Sequence, residues 1–290
     1  MGEQSQRQAY DLTHEDIEKV FATVDIPACP AIVAQVMAEA QKDEPDIRKL
    51  AKAIGSDVGM SAVTLKLANS PLFRIGVPVS TVLKALERLG INNAVSVIVA
   101  AALREAMAGV SARFIEKFWE KTSTLAMAAG LIARRQYGLS PDAAYTYALF
   151  HDAGIPLMLR RFPEYEKALK ECHATGRFLV DAENQYFPCT HPIIGSLLVR
   201  NWGLPPMMGQ AIRFHLEPDV YELPDSTLPG GAVSLIAVTH VAEHLACEID
   251  GEPDLEVGLP MYERALAHLG IDADEIEDLR ETILAARRDK

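Results

Sequence analysis

His151 and Asp152 stand side by side where the apolar run Tyr145-Thr-Tyr-Ala-Leu-Phe150 gives way to Ala153-Gly-Ile-Pro156. An imidazole and a carboxylate in a dry helical setting each cost free energy unless partnered, and a divalent ion satisfies both. The plainer alternative is a helix-end aspartate beside a hydrogen-bonded histidine. Two further histidines follow. His191 opens a helix with Gly195 one turn on, and His215 closes the short helix that begins near Met207. Helix ends from separate segments can surround one point, so His151, Asp152, His191 and His215 form a candidate site for one ion, or for two sharing the carboxylate. His240 and His244 also have a chelating spacing, with Glu243 beside them, but read as packing or surface residues. His14, His173 and His268 lie in amphipathic or polar surroundings.

Other chemistries find no template. The chain has no G-x-x-x-x-G-K-[ST] phosphate loop, no G-x-G-x-x-G and no G-x-S-x-G elbow. Four cysteines, at 29, 172, 189 and 247, are too scattered for a zinc knuckle or a C-x-x-C pair and read as reduced packing residues. A net charge of −12 argues against general nucleic-acid binding, which needs a basic face. The pairs Arg134-Arg135, Arg160-Arg161 and Arg287-Arg288 suit solvated helix ends or a phosphate. The longest nearly uninterrupted apolar stretch, Ala94 to Leu103, is about half of what a membrane span needs. The first eight residues lack the pattern of a secretory signal, which makes the cytoplasm the expected location.

The elements that must position these residues follow a 3.6-residue apolar rhythm almost throughout, so the expected fold is all-α and multi-helical. Thr13 caps a first expected helix after a flexible start at residues 1–12, Pro30 begins a second, and Asp46 a third that stops at Gly55. Ser61 is expected to cap a helix closing at Asn69-Ser70-Pro71, and Ser80 one that ends at Gly90. From Asn92 to Met107 the pattern is apolar nearly all round. A second helical set begins near Arg113, and Ser140-Pro141-Asp142 starts the helix leading to His151. Helices are then expected from about Glu164 to Gly176, His191 to Trp202, Met207 to Phe214, Ser234 to Cys247, Met261 to Leu269 and Asp274 to Ala286. The segmentation read from this is an N-terminal helical subdomain at 13–112, a second helical subdomain at 113–250 and a C-terminal helical extension at 251–290.

Leu65-Lys-Leu-Ala-Asn-Ser-Pro-Leu-Phe73 and Val79-Ser-Thr-Val-Leu-Lys-Ala-Leu-Glu-Arg-Leu-Gly90 together resemble the signature of the HDOD domain. The resemblance continues through Phe118-Trp119, His151-Asp152 and His191-Pro-Ile-Ile-Gly195 to Trp202 and Pro205, and covers roughly residues 20 to 250. It implies an N-terminal helical bundle packed on a degenerate HD-type bundle, in a bacterial-type signalling output module related to the HD phosphohydrolases. Asn69, Ser70, Pro71, Gly90, Trp119, Gly195, Trp202 and Pro205 carry the signature as structural or interface residues.

In the competent relatives, notably the HD-GYP phosphodiesterases of cyclic di-GMP, the resemblance implies a longer ligand set than this chain offers. His151, Asp152, His191 and His215 fall on matching positions. Lys121 or Thr122 replaces a first histidine, Leu216 the second of a His-His pair, and the late acid falls near Glu243. Ile155 stands where the active motif has lysine, and the Gly-Tyr-Pro loop is absent. A two-metal hydrolase needs ligands for both ions and a cation near the phosphate. An ammonium of Lys121 pointing inward would repel a cation and pair with Asp152 instead. The expectation is therefore a non-catalytic module acting through a signalling partner, with no cofactor or a single divalent Fe, Mn, Ni or Zn ion, no membrane association, and a homodimer as one candidate assembly. The alternatives are a metal-dependent phosphohydrolase acting on a cyclic dinucleotide or nucleotide, and a nucleotide-binding sensor that does not hydrolyse.

Overall fold

The computed structural model describes residues 23–70, 72–107 and 109–288, so the Thr13-capped helix, the start at 1–12 and Pro71 lie outside the described residues. The described residues are helical with no strand, as the apolar rhythm requires. They fall into two compact units, residues 28–150 with 201–203 and 271–288, and residues 23–27 with 151–200 and 204–270.

In the first unit, α1 (Ala31–Ala40) follows Pro30 and buries Val33, Val36 and Met37 on one face. α2 (Ile47–Gly55) is capped by Asp46, whose carboxylate accepts from the amides of Arg48 and Lys49. α3 (Val58–Ala68) is capped by Asp57 rather than by Ser61. Ser61 lies inside that helix and donates to the carbonyl of Ile54, so a better acceptor four residues earlier wins the cap. α4 (Val82–Ala106) takes its cap from Thr81, next to the expected Ser80, and is broken at Gly90, where φ is 75°. That left-handed residue ends one helical segment and starts the next, which makes Gly90 a joint. α5 (Ala112–Ala133) buries Trp119, whose ring meets Phe118 edge-on at 5.5 Å. α6 (Pro141–Phe150) is buried on nearly every side.

The second unit holds α7 (Gly154–Arg161), α8 (Tyr165–Thr175), α9 (Leu179–Tyr186), α10 (His191–Asn201), α11 (Pro206–Phe214), α12 (Gly230–Asp250) and α13 (Gly258–Leu269). Helix α14 (Ala273–Arg288) belongs with the first unit, where Arg135 reaches its Asp278 at 2.5 Å and its Thr282 at 2.9 Å. The arginine pairs hold chain segments. Arg134 donates to the carbonyl of Leu72, Arg160 to Asp25 and Arg161 to the carbonyl of Thr23. Helices α4 and α12 are long and apolar enough to cross a membrane, but 67% and 78% of their most apolar windows are buried in the protein. Their apolar character is accounted for by the core.

Asn69 does more than end α3. Its amide donates to the carbonyl of Val79 at 2.9 Å and its carbonyl accepts from the Val79 amide at 2.8 Å, ten residues on. Arg88 closes the same loop by donating to the carbonyls of Ala68, Ile75 and Val77 and to the Asn69 side chain. Ser70 supplies backbone bonds to Leu67, Phe73 and Arg74 within it. Asn69→Ala removes a two-bond clamp, so the urea midpoint is expected to fall by the equivalent of about 1–3 kcal/mol. An unchanged midpoint would show the clamp to be replaceable by water.

Candidate metal centre

His151 and Asp152 occupy the tight turn between the end of α6 and the start of α7, where the Asp152 carbonyl accepts from the amide of Ile155 at 2.9 Å. The first turn of α10 lies directly against the start of α7. A Cβ on Gly154 would stand 2.1 Å from the His191 carbonyl oxygen, so no side chain fits there. Gly195, one turn along α10, gives the same access from the other side: a Cβ there would meet the Gly154 amide nitrogen at 3.4 Å and the His151 carbonyl oxygen at 3.6 Å. His215 comes in at the C-terminal end of α11, whose first turn is set by Pro205 and Pro206.

These elements bring Asp152, His191 and His215 together with Glu256, a residue of the loop before α13. One ligand atom from each lies within 4.8 Å of all the others, and all four side chains are buried. Asp152 Oδ1 is 3.6 Å from His191 Nε2 and 3.6 Å from His215 Nε2, and Glu256 Oε2 is 3.5 Å from His191 Nε2. None of these four atoms has a hydrogen-bond partner among the described residues. A second group shares Asp152: its Oδ2 lies 3.1 Å from His151 Nε2, which lies 3.5 Å from Glu243 Oε2.

The hydrogen bonds on the far sides of the rings decide what the four atoms are. His215 Nδ1 donates to the carbonyl of Ile212 at 2.8 Å, and His191 Nδ1 donates to the Glu183 carboxylate at 2.8 Å. Both neutral rings then present a lone pair at Nε2. Two imidazole lone pairs and two carboxylate oxygens thus point at one another without a donor. Separations of 3.5–3.6 Å suit donors that share one ion at about 2.1 Å each. The residues fit a divalent transition ion.

Without an ion, protons must do the same work. Burial alone would depress His151, but the Asp152 and Glu243 carboxylates outweigh it and push it up to about 10. Burial likewise opposes the charge on His191, yet Glu183 and Glu256 hold it well above the usual imidazole range. Burial opposes the charge on Asp152, but the His151 imidazolium at 3.1 Å, with the His191 and His215 rings turned toward the carboxylate, outweighs it and holds Asp152 well below the usual carboxylate range. Burial raises Glu256 well above that range. Burial lowers His215, and it pushes His240 down to about 3. His240 is thus neutral, donating from Nε2 to the His215 carbonyl at 2.9 Å while Tyr221 donates to its Nδ1 at 2.7 Å.

The HDOD domain model matches residues 26–218, two thirds of the sequence. The chain belongs to the HDOD family. The HDOD assignment agrees with solved structures of the same fold. One, named as a candidate phosphohydrolase from Shewanella amazonensis SB2B, is 23% identical over 93% of each chain with a TM-score of 0.69. Another, an HDOD domain protein of unknown function from Geobacter sulfurreducens, is 22% identical over 93% of this chain and 94% of that one, with a TM-score of 0.70. A third, named as a candidate signal transduction protein from Marinobacter aquaeolei VT8, is 18% identical over 90% of this chain and 57% of that one, with a TM-score of 0.68. No curated protein matches the sequence.

Lys121 and Thr122, the residues expected in place of a first histidine, lie on α5, Lys121 exposed and Thr122 buried. An exposed Lys121 is not the buried ammonium that would take an ion's place beside Asp152. Trp202 is buried, and Pro205 sits at the start of α11. Glu243 lies beside His151, whereas the acid that joins His191 and Asp152 is Glu256. Both carboxylates lie beyond the matched HDOD segment. Glu256 went unread because it stands in a Pro-Asp loop with no periodic pattern. Its anchor is Asp254, whose carboxylate accepts from the amides of Glu256, Val257 and Gly258 and from His244 Nδ1. Glu183 went unread because α9 is short and largely polar, burying only Leu179, Ala182 and Glu183.

Gly154→Ala should be among the costliest single-methyl additions in this protein. Overpacking typically costs about 1–3 kcal/mol, and here the clash is with backbone rather than a movable side chain. Gly195→Ala meets first the Ile212 side chain at 3.1 Å, which can turn aside. Urea denaturation of the two variants is expected to rank Gly154→Ala as the less stable, and the opposite order would mean that the start of α7 can move away from α10.

Proposed function

We propose that this HDOD protein is a non-catalytic signalling module that works by binding, and that its HD-type site holds one divalent transition ion. The observation that carries this is the convergence of Asp152 Oδ1, His191 Nε2, His215 Nε2 and Glu256 Oε2, four buried polar atoms with no hydrogen-bond partner among the described residues. Asp152, His191, His215 and Glu256 would hold such an ion with four protein donors, the number that a closed structural zinc site uses. An ion bound there would neutralise the carboxylates and tie the α6–α7 turn to α10, α11 and the loop before α13. Two imidazoles and two carboxylates suit Zn, Fe, Mn or Ni. Ile155 supplies no cation for a phosphate, which agrees with a binding role. The reading includes a cytoplasmic location and a protein partner; the neighbour from Marinobacter aquaeolei carries a signal-transduction name.

A hydrolytic reading draws on the second group, because Asp152 is shared with His151 and Glu243 as a two-ion centre would require. A further neighbour of the same fold, from Shewanella amazonensis SB2B, is named as a candidate metal-dependent phosphohydrolase. Calorimetry with a nucleotide panel tests the sensor alternative, for which a saturable heat is required.

Elemental analysis of protein purified without a chelating tag is expected to find about one transition ion per chain, lost in His215→Ala. Two ions per chain, with phosphodiester hydrolysis that disappears in His151→Ala, would replace this reading by the hydrolytic one. No uptake on reconstitution would leave a metal-free module.

Uptake should also release protons, because the ion displaces those that otherwise sit on His191 and Glu256. Affinity is therefore expected to rise with pH. Titration calorimetry in two buffers of different ionisation enthalpy should give about one to two protons released per ion. Buffer-independent heats would count against displacement.

A further inference from the structure

Glu183 is fully buried on α9 and gives its carboxylate almost entirely to one neighbour. Its two oxygens accept from His191 Nδ1 at 2.9 and 2.8 Å, one of them also accepts from the His191 amide at 3.0 Å, and Tyr165 on α8 donates its hydroxyl to the other. His191 is the only ionic partner of Glu183 among the described residues. A buried carboxylate is costly unless its lone pairs are used, and here three donors from two residues use them. An ionised carboxylate can only accept, so it obliges Nδ1 of His191 to carry the proton. The backbone bond fixes the start of α10 at the same time, so ring and helix end are held by one group.

We infer that Glu183 is the positioning residue of this site: it sets the tautomer and orientation of His191 that turn Nε2 toward Asp152 and Glu256, and Tyr165 holds Glu183 in place. This rests on the metal-site reading above. Groups that orient a ligating histidine typically contribute about 10–100-fold in metal affinity. Glu183→Gln keeps the shape but offers an amide that can donate as well as accept, so the His191 tautomer is no longer dictated. Tyr165→Phe removes only the outer bond.

Two measurements test the inference. Long-range proton–nitrogen spectra of the metal-free protein, taken at a pH high enough for the His191 ring to be neutral and with His191 assigned through His191→Gln, are expected to show a protonated Nδ1 in the native chain. The Nε2-protonated tautomer should appear in Glu183→Gln. Competition with a chromophoric chelator for Zn²⁺ should then give affinities about 10–100-fold weaker for Glu183→Gln and less weakened for Tyr165→Phe. An unchanged tautomer in Glu183→Gln overturns the positioning role whether or not the native chain takes up metal, even if its urea midpoint falls. Equal Zn²⁺ affinity in native and Glu183→Gln protein overturns it while leaving the metal site standing. No saturable Zn²⁺ uptake by the native chain overturns the metal reading instead. Should Glu183→Gln fail to fold, Tyr165→Phe carries the affinity readout, and a native Zn²⁺ affinity there would overturn the inference that Tyr165 holds Glu183 in place for the site.

Discussion

Four buried acceptors facing one point is the constraint on which the second unit depends. Two carboxylate oxygens and two imidazole lone pairs repel one another in a medium where charge is poorly screened, and only positive charge at their centre relieves it. Protons can supply that charge and so can an ion. Everything near the point is arranged to keep the acceptors there: Gly154 and Gly195 let α10 approach the α6–α7 turn, the Ile212 carbonyl fixes His215, and Glu183 fixes His191.

The same constraint bears on the proposed non-catalytic role. A catalytic ion needs an open coordination position and a neighbouring cation for the phosphate. Here a carboxylate from a loop outside the matched HDOD segment joins the histidines, and Ile155 follows the His-Asp-x-Gly motif. Loss of the ligands expected from the HD-GYP resemblance therefore did not leave the cluster short of donors, because Glu256 adds one of its own.

The loop between α3 and α4 follows a different logic. Asn69 and Arg88 satisfy its backbone groups at a distance, which holds an otherwise irregular stretch in one shape while Ile75 and Val77 remain about 80% exposed. A residue that looks like a simple helix stop in sequence thus holds a loop together.

By itself the sequence determined the helical class, most helix starts, the HDOD resemblance and the candidacy of His151, Asp152, His191 and His215. These are readable because apolar periodicity, Pro and Asp caps and contiguous motifs are local properties. Convergence is not local. Only the tertiary structure brought Glu256 to His191 across a separation of 65 in numbering, moved the α3 cap from Ser61 to Asp57, and exposed Lys121 at the surface. Glu183 and Glu256 were illegible for one physical reason: each sits in a short polar stretch whose carboxylate looks solvated until the chain folds and buries it against the histidines.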